Sequence, residues 1–333
     1  TEKLSANAQW FEANSPVAPE FKKEEVKGIS AKVIRAAILG GDLYPSTAIG
    51  INLPNSNWIR EEYGSKSVTI ANLTRAYNVA ARGSGMREEF VIDDETKKLL
   101  EHYGDICDNL HTDLHECLGH GSGKLLPDVD SEALRSYGST IEEARADLFG
   151  LYYIADPKLV ELNLTPDAEA YKAQYYSYLM NGLLTQMIRI EEGQQLEEAH
   201  MRNRALISNW VLEHYPTAVQ IVCKNNKHFV CISNYPLLRH AFGELLAEVQ
   251  RIKSEGDFAA ARNLVEQCGI KLNPKLHREI LKRHKQLNLA PYKGFINPKY
   301  ELVRNEEGDI IDVSISCDEA YDEQMLRYSK QYK

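Results

Sequence analysis

Along most of the chain the apolar positions recur every three or four residues; only short stretches alternate. Segment 96–120, "TKKLLEHYGDICDNLHTDLHECLGH", has the helical spacing. Segment 139–156, "STIEEARADLFGLYYIAD", reads as a helix with Ser139 or Thr140 as N-cap and acids in its first turn. Residues 165–215 hold two or three long helices whose tyrosine and methionine stripe reads as core. Helices continue over 234–287, broken at Gly256 and at "CGIKLNP". Residues 1–40 also read as helical, with a break at "NSPVAPEF".

The β-like pieces are few. "STAIGINLPNSNWI" (46–59) and "KSVTIANL" (66–73) are short, β-branched and punctuated by turns. "AVQIVCKNNKHFVCIS" (218–233) predicts a hairpin turning at Asn225–Asn226, where left-handed backbone is tolerated. "PYKGFINPKYELVRNEEGDIIDVSIS" (291–316) reads as β around an "EEGD" turn. The expected fold is therefore mainly α. A helical body over 85–290, joined by a helical segment 1–40, is bracketed by β/loop segments 41–84 and 291–333. Those end pieces are too few to make an obvious sheet of their own.

Composition narrows the partners. A chain of 333 residues accommodates one large domain or two ordinary ones. The net charge of −9, without a basic cluster, argues against nucleic acid or an anionic membrane surface as the main partner. No apolar run approaches the roughly 20 residues of a membrane span. Six cysteines without a CxxC pair read as free thiols of a reducing, cytoplasmic compartment. The start at Thr1, with no signal-like segment, is that of a chain with its leader removed or of a piece of a longer one.

Candidate chemistry gathers in "HECLGHGSGK" (115–124). The stretch resembles the HExxH helix of zinc peptidases with one residue inserted, so that His115 and His120 stand five apart. A helix advances roughly 100° per residue; positions four apart diverge by about 40° and positions five apart by about 140°. An ideal helix cannot bring the latter to one metal. Gly119 tolerates unusual dihedrals, a π-type bulge absorbs one extra residue, and Gly121 and Gly123 let the helix end. The spacing predicts a distorted last turn that swings His120 back over His115. His111 and His115 form a competing pair at ordinary spacing, but Thr112 follows His111, so no general base falls in place; His111 reads as a partly exposed helix histidine. Cys117 reads as a small buried hydrophobe.

A catalytic zinc takes three protein ligands and keeps one position for water. The third ligand should be a carboxylate or histidine from a second helix, and "IEEARAD" (141–147) supplies Glu142, Glu143 and Asp147, the last two on one helix face. One of these carboxylates can bind the metal while others hold the histidine N–H groups. Glu116, next to His115, is placed to take a proton from metal-activated water for attack on a carbonyl. Two histidines and a carboxylate suit zinc best but also accept cobalt or manganese.

"HECLGHGSGK" followed by "EEARAD" resembles the dipeptidyl peptidase III family, whose pattern is HExxGH and then EExR[AG][DE]. "GINLPN" (50–55), "EEAHMRNR" (197–204) and the order of elements to about residue 290 are similar as well. The likeness is to the C-terminal half of that family and more to its bacterial branch. The resemblance implies one Zn²⁺ per chain on His115, His120 and Glu143, with Glu116 as general base. Glu142 and Asp147 would be partners of the histidines, Asp147 standing where the family more often has glutamate. His200 and Arg204 would face the substrate, and Asn52 and Asn55 would hold the peptide backbone near its amino end; from the residues alone, His200 reads as a capped or exposed helix histidine and "LPNSN" as a plain turn. The implied activity is release of N-terminal dipeptides from short peptides. The implied architecture is a helical zinc-binding lobe plus the minor β segments of an incomplete β-rich second lobe, whose remainder belongs to a missing N-terminal half. The rivals are a zinc endopeptidase or aminopeptidase and a zinc-stabilised helical scaffold without catalysis.

Overall fold

A computed structural model describes residues 1–26, 30–40, 50–53, 59, 63, 66–289 and 297–331. In chain order its elements are helices α1 (Glu2–Ala6) and α2 (Ala8–Ala13), strands β1 (Ser30–Ile34), β2 (Gly50–Leu53) and β3 (Lys66–Ile70), and helices α3 (Ala71–Ala81), α4 (Met86–Phe90) and α5 (Asp94–Asp113). A π turn (Leu114–Gly119) follows, then α6 (Gly138–Ile154), α7 (Pro157–Glu161), α8 (Tyr171–Leu183) and α9 (Ala199–His214). The hairpin β4 (Val219–Lys224) and β5 (Lys227–Ile232) leads to α10 (Tyr235–Glu255), α11 (Phe258–Leu264) and α12 (Pro274–Gln286). The hairpin β6 (Lys299–Arg304) and β7 (Ile310–Ser316) precedes α13 (Tyr321–Gln331). β1, β3 and β2 pair in that order. The fold is mainly α, as the periodicity predicts.

Local chemistry sets most boundaries. Asp93 caps α5 by accepting from the Thr96 N–H at 2.7 Å. Asn234 caps α10 in the same way, and Gly256 ends it at φ 65°. Asn225 and Asn226 take φ 53° and 60°, the left-handed turn expected of the β4–β5 hairpin.

Four expectations need correcting. Residues 1–40 are not helical throughout, since Ser30–Ile34 is a strand. Helices α3 and α13 lie within the segments read as β/loop. Neither Ser139 nor Thr140 caps α6; the helix starts at Gly138 without a side-chain cap, continuing a 3₁₀ turn over Arg135–Tyr137. Its acids therefore sit beyond the first turn, where the helix dipole gives little reason for them.

The described chain divides into two compact units. The larger comprises Thr1–Lys32, Asn52–Val68 and Gly85–Asn288. Its centre is α6, buried along nearly its whole length through Ile141, Ala144, Leu148, Phe149, Leu151 and Ile154. The π turn, α9 and α10 pack around it. Each of the large apolar side chains contributes roughly 1.5–3 kcal/mol by leaving water. Gly150 lets α5 approach, because a Cβ there would stand 2.8 Å from Nδ1 of His111.

The smaller unit comprises Val33–Ile51, Thr69–Ser84 and Leu289–Lys333. It has a small core around Ile70 and Leu73. In its β6–β7 hairpin Tyr300 pairs with Ile315 and Leu302 with Val313, so all four share one face. All four are exposed. No helix among the described residues is long and apolar enough to cross a membrane. The six cysteines are unpaired, and Cys117 is buried in the main core as expected.

Candidate metal centre

At Leu114 the regular hydrogen-bond ladder of α5 gives way to the π turn, where the His120 N–H donates to the His115 carbonyl at 3.1 Å. A bond closing over five residues places five-apart side chains over one another. The two imidazoles accordingly stand 4.7 Å apart at 88°. Gly119 serves this turn by lack of bulk rather than by unusual dihedrals. Its backbone stays out of the left-handed region, but a Cβ would lie 2.8 Å from Cα and O of Ala146. The π turn is pressed against the backbone of α6.

That proximity brings the acids of α6 to the histidines. Nδ1 of His115 lies 2.7 Å from Oδ1 of Asp147, and Nδ1 of His120 lies 2.8 Å from Oε1 of Glu142. A ring that donates its Nδ1 proton keeps the Nε2 lone pair for a metal. Glu143 faces both free nitrogens, its Oε2 3.3 Å from Nε2 of His115 and 4.0 Å from Nε2 of His120. One donor atom from each of the three residues falls within 4.8 Å of the others.

The electrostatics are strongly biased. Burial disfavours charge on Glu142, but Arg145 and Lys253 outweigh it and hold the carboxyl well below the usual range. Burial likewise opposes Asp147, whose carboxyl is held well below that range by His115 and His111. Glu143 is lowered against its own burial by His115, His120 and His200. Burial pulls His115 down, yet Asp147 and Glu143 raise it well above an ordinary imidazole. The acids draw positive charge to the His115 ring, and a metal ion competes with protons for that place.

The residues fit a metal on one direct observation. Oε2 of Glu143 is buried and makes no hydrogen bond, although it lies within ion-pair distance of three imidazoles, those of His115, His120 and His200. A buried ionised oxygen needs a donor or a cation. Two imidazole nitrogens and one carboxylate oxygen are the donor set of a divalent transition-metal site with an open position.

The other expected residues vary in position. Glu116 is half-buried in the π turn beside His115. His200, at the start of α9, has a half-exposed side chain and turns Nε2 toward Oε2 of Glu143 at 3.5 Å. Its Nδ1 lies 2.6 Å from Oε1 of Glu198, which also accepts the His200 N–H. Arg204 lies one turn further along α9, and among the described residues no hydrogen bond or ion pair joins it to the cluster. Asn52 contributes backbone to β2; its side chain and all of Asn55 lie outside the described residues.

His111 corrects the reading of a partly exposed histidine. It is buried, with Nε2 3.2 Å from Oδ1 of Asp147. Sequence reasoning missed Arg145, Lys253 and Tyr178. Arg145 is fully buried, with two hydrogen bonds to Glu142 and two to Ser122. Tyr178 donates to Oδ2 of Asp147 at 2.8 Å. Only Arg145 carried a signal, as a cation set between acids in "EEARAD".

Comparison with known proteins identifies relatives of this chain. Residues 2–135 and 128–300 match the sequence profile of peptidase family M49. Human dipeptidyl peptidase 3 is 25% identical over 307 residues, covering 80% of this chain and 41% of the human protein. The Nematostella vectensis dipeptidyl peptidase 3 is 24% identical, with 77% and 38% covered. Among solved structures, DPP III from Caldithrix abyssi superposes with a TM-score of 0.67 at 26% identity, over 85% of this chain and 52% of that one. Dipeptidyl-peptidase III from Corallococcus sp. strain EGB, at 23% identity and TM-score 0.69, shares the fold over 88% and 53%. The chain thus spans less than half the length of these curated relatives. The profile covers most of the sequence, and the chain belongs to peptidase family M49.

Proposed function

We propose that this chain is the zinc-bearing part of a dipeptidyl-peptidase that releases N-terminal dipeptides from short peptides. The observation that carries the reading is the hydrogen-bond-free Oε2 of Glu143, set between two imidazoles whose Nδ1 atoms are pinned by Asp147 and Glu142. His115, His120 and Glu143 would hold one Zn²⁺, with Glu142 and Asp147 orienting the rings. When bound, zinc supplies a Lewis acid that polarises a carbonyl and lowers the pKa of water.

The chain's own groups do the rest. Glu116 accepts the proton of the attacking water on its carboxylate and returns it to the departing amine. His200, held at Nδ1 by Glu198, presents Nε2 to the carbonyl oxygen that gains negative charge. Asn52, Asn55 and Arg204 would hold the peptide, a role that rests on the family likeness alone.

The smaller unit would be this chain's share of a β-rich lobe, completed by the missing N-terminal half. Two observations support this: the chain covers 41% of its human relative, and the shared face of Tyr300, Leu302, Val313 and Ile315 is exposed. A two-stranded hairpin is marginal by itself. Hydrolysis of a dipeptidyl-naphthylamide by the zinc-loaded chain, alone and with the complementary half supplied in trans, tests the reading. Slow turnover alone, a rise on reconstitution and loss of both with chelator are expected. Reconstituted hydrolysis indifferent to zinc would refute the mechanism; full activity without the other half would refute the division of labour.

A further inference from the structure

We infer that His111 and Tyr178 are positioning residues for the metal ligand His115, acting through Asp147. The inference rests on the reading that His115 binds the metal. Asp147 receives three donors from separate elements. Its Oδ1 lies 2.7 Å from Nδ1 of His115 and 3.2 Å from Nε2 of His111, and its Oδ2 accepts the Tyr178 hydroxyl at 2.8 Å. His111 comes from α5, Asp147 from α6 and Tyr178 from α8, and all three are buried. The rings of His111 and Tyr178 meet edge to face at 5.7 Å. A carboxylate normally rotates with little resistance about its last torsion. Three donors in fixed directions remove that freedom, and so fix the plane and tautomer of His115.

The surroundings of His111 limit it to this task. Its Nδ1 is buried without a hydrogen-bond partner, and Gly150 leaves the ring room only because it lacks a Cβ. With Nδ1 unpartnered, Nε2 is the ring atom that meets Asp147, and its N–H is the donor there. The other carboxylate differs. Glu142 is held by two permanent cations, Arg145 and Lys253, which offset its charge. Among the described residues no lysine or arginine pairs with Asp147. His115 therefore backs onto a carboxylate held by two imidazoles and a hydroxyl, and His120 onto one that also pairs with two cations.

Zinc affinity of the 333-residue chain, measured by competition with a chromophoric chelator, tests this without any need for turnover. Tyr178→Phe should weaken zinc binding by about 10-fold, the usual effect of losing a ligand's partner, while far-UV circular dichroism is unchanged. His111→Met should do the same, and His111→Gln, which keeps an N–H donor, should recover much of the loss. At saturating cobalt the visible band of Tyr178→Phe should shift, which a purely structural role would not cause. Should Tyr178→Phe fail to fold, the His111 pair decides alone. Affinities within twofold of the parent, while His115→Gln abolishes tight binding, would overturn the inference and leave the metal site standing. A parent chain that binds no zinc, or binds it equally well as His115→Gln, would overturn both.

Discussion

The His120 N–H donates to the carbonyl of His115, 3.1 Å away and five residues earlier in the chain. This one bond converts a spacing that would splay two imidazoles into one that converges them. It also shifts the burden onto packing. The π turn stays wound because α6 lies directly against it, and Gly119 is where the two backbones meet.

Gly119→Ala should therefore damage both stability and metal binding. The added Cβ would stand 2.8 Å from backbone atoms of Ala146, which have no flexible side chain to yield. Overpacking of this kind costs about 1–3 kcal/mol. Urea denaturation of the metal-free chain should show that loss, and zinc competition should show weaker binding as α6 carries Glu143 away from the histidines. An unchanged urea midpoint would mean that the helices are free to separate without cost.

Much of this arrangement was legible in the sequence because it is local. The five-residue spacing, the glycines after it and the acids of "EEARAD" all bear on one another within two adjacent helices. The β4–β5 hairpin was legible for the same reason, through the left-handed tolerance of Asn225 and Asn226. Ser30–Ile34 was not, because strand pairing is settled by partners distant in sequence. Nor were α3 and α13, whose neighbouring β-branched runs pulled the reading toward strand. His111 and Tyr178 were hidden for a further reason. Each sits on an apolar helix face, where a polar residue shows its purpose only once its partner, Asp147, has been placed by tertiary packing.

Arg145→Met should be among the most damaging single changes on α6. Its guanidinium is fully buried and bonds Glu142 through Nε at 3.0 Å and Nη2 at 2.8 Å. Removing it leaves Glu142 buried with Lys253 as its remaining cation, and leaves the oxygens of Ser122 without their donor. Breaking a buried pair from one side costs about 3–5 kcal/mol. Lys253→Met should cost less, since Lys253 is partly exposed and Arg145 stays in place. Urea midpoints of the two variants give the order; the reverse order would place the main compensating charge on Lys253.

Acid sensitivity should trace in part to Arg283. This buried guanidinium lies between the rings of Phe90 and Phe229 and pairs with Glu89 at 2.7 Å and Glu279 at 3.0 Å. Burial tends to raise both carboxyls, but Lys227 and Arg283 lower Glu89, and the His228 N–H, the His228 ring and Arg283 lower Glu279. Folded values below the unfolded 4.5 mean that the unfolded chain binds more protons. Their contribution is thus present above about pH 4.5 and fades as pH falls through the folded values. Unfolding free energy should decline from about pH 5 to pH 3 in the parent, and less steeply in Arg283→Met. Equal slopes would assign the acid sensitivity to other carboxylates.

Glu116→Gln separates chemistry from metal binding most cleanly. Glu116 is not among the three converging donors, so the amide should leave zinc affinity within about twofold of the parent. The same change takes away the carboxylate that accepts the water proton, a contribution of typically 10²- to 10⁴-fold. In the reconstituted enzyme kcat should fall by roughly that factor while KM moves little, because the residue acts on the reacting water and not on the peptide. Glu143→Gln should behave differently, losing zinc affinity and activity together, and excess zinc should restore part of its activity. A scaffold that used zinc only to hold helices together would show no difference in function between Glu116→Gln and the parent. If hydrolysis by Glu116→Gln stays at the parental rate with zinc bound, the proton is taken elsewhere, and the role assigned to the residue beside His115 is wrong.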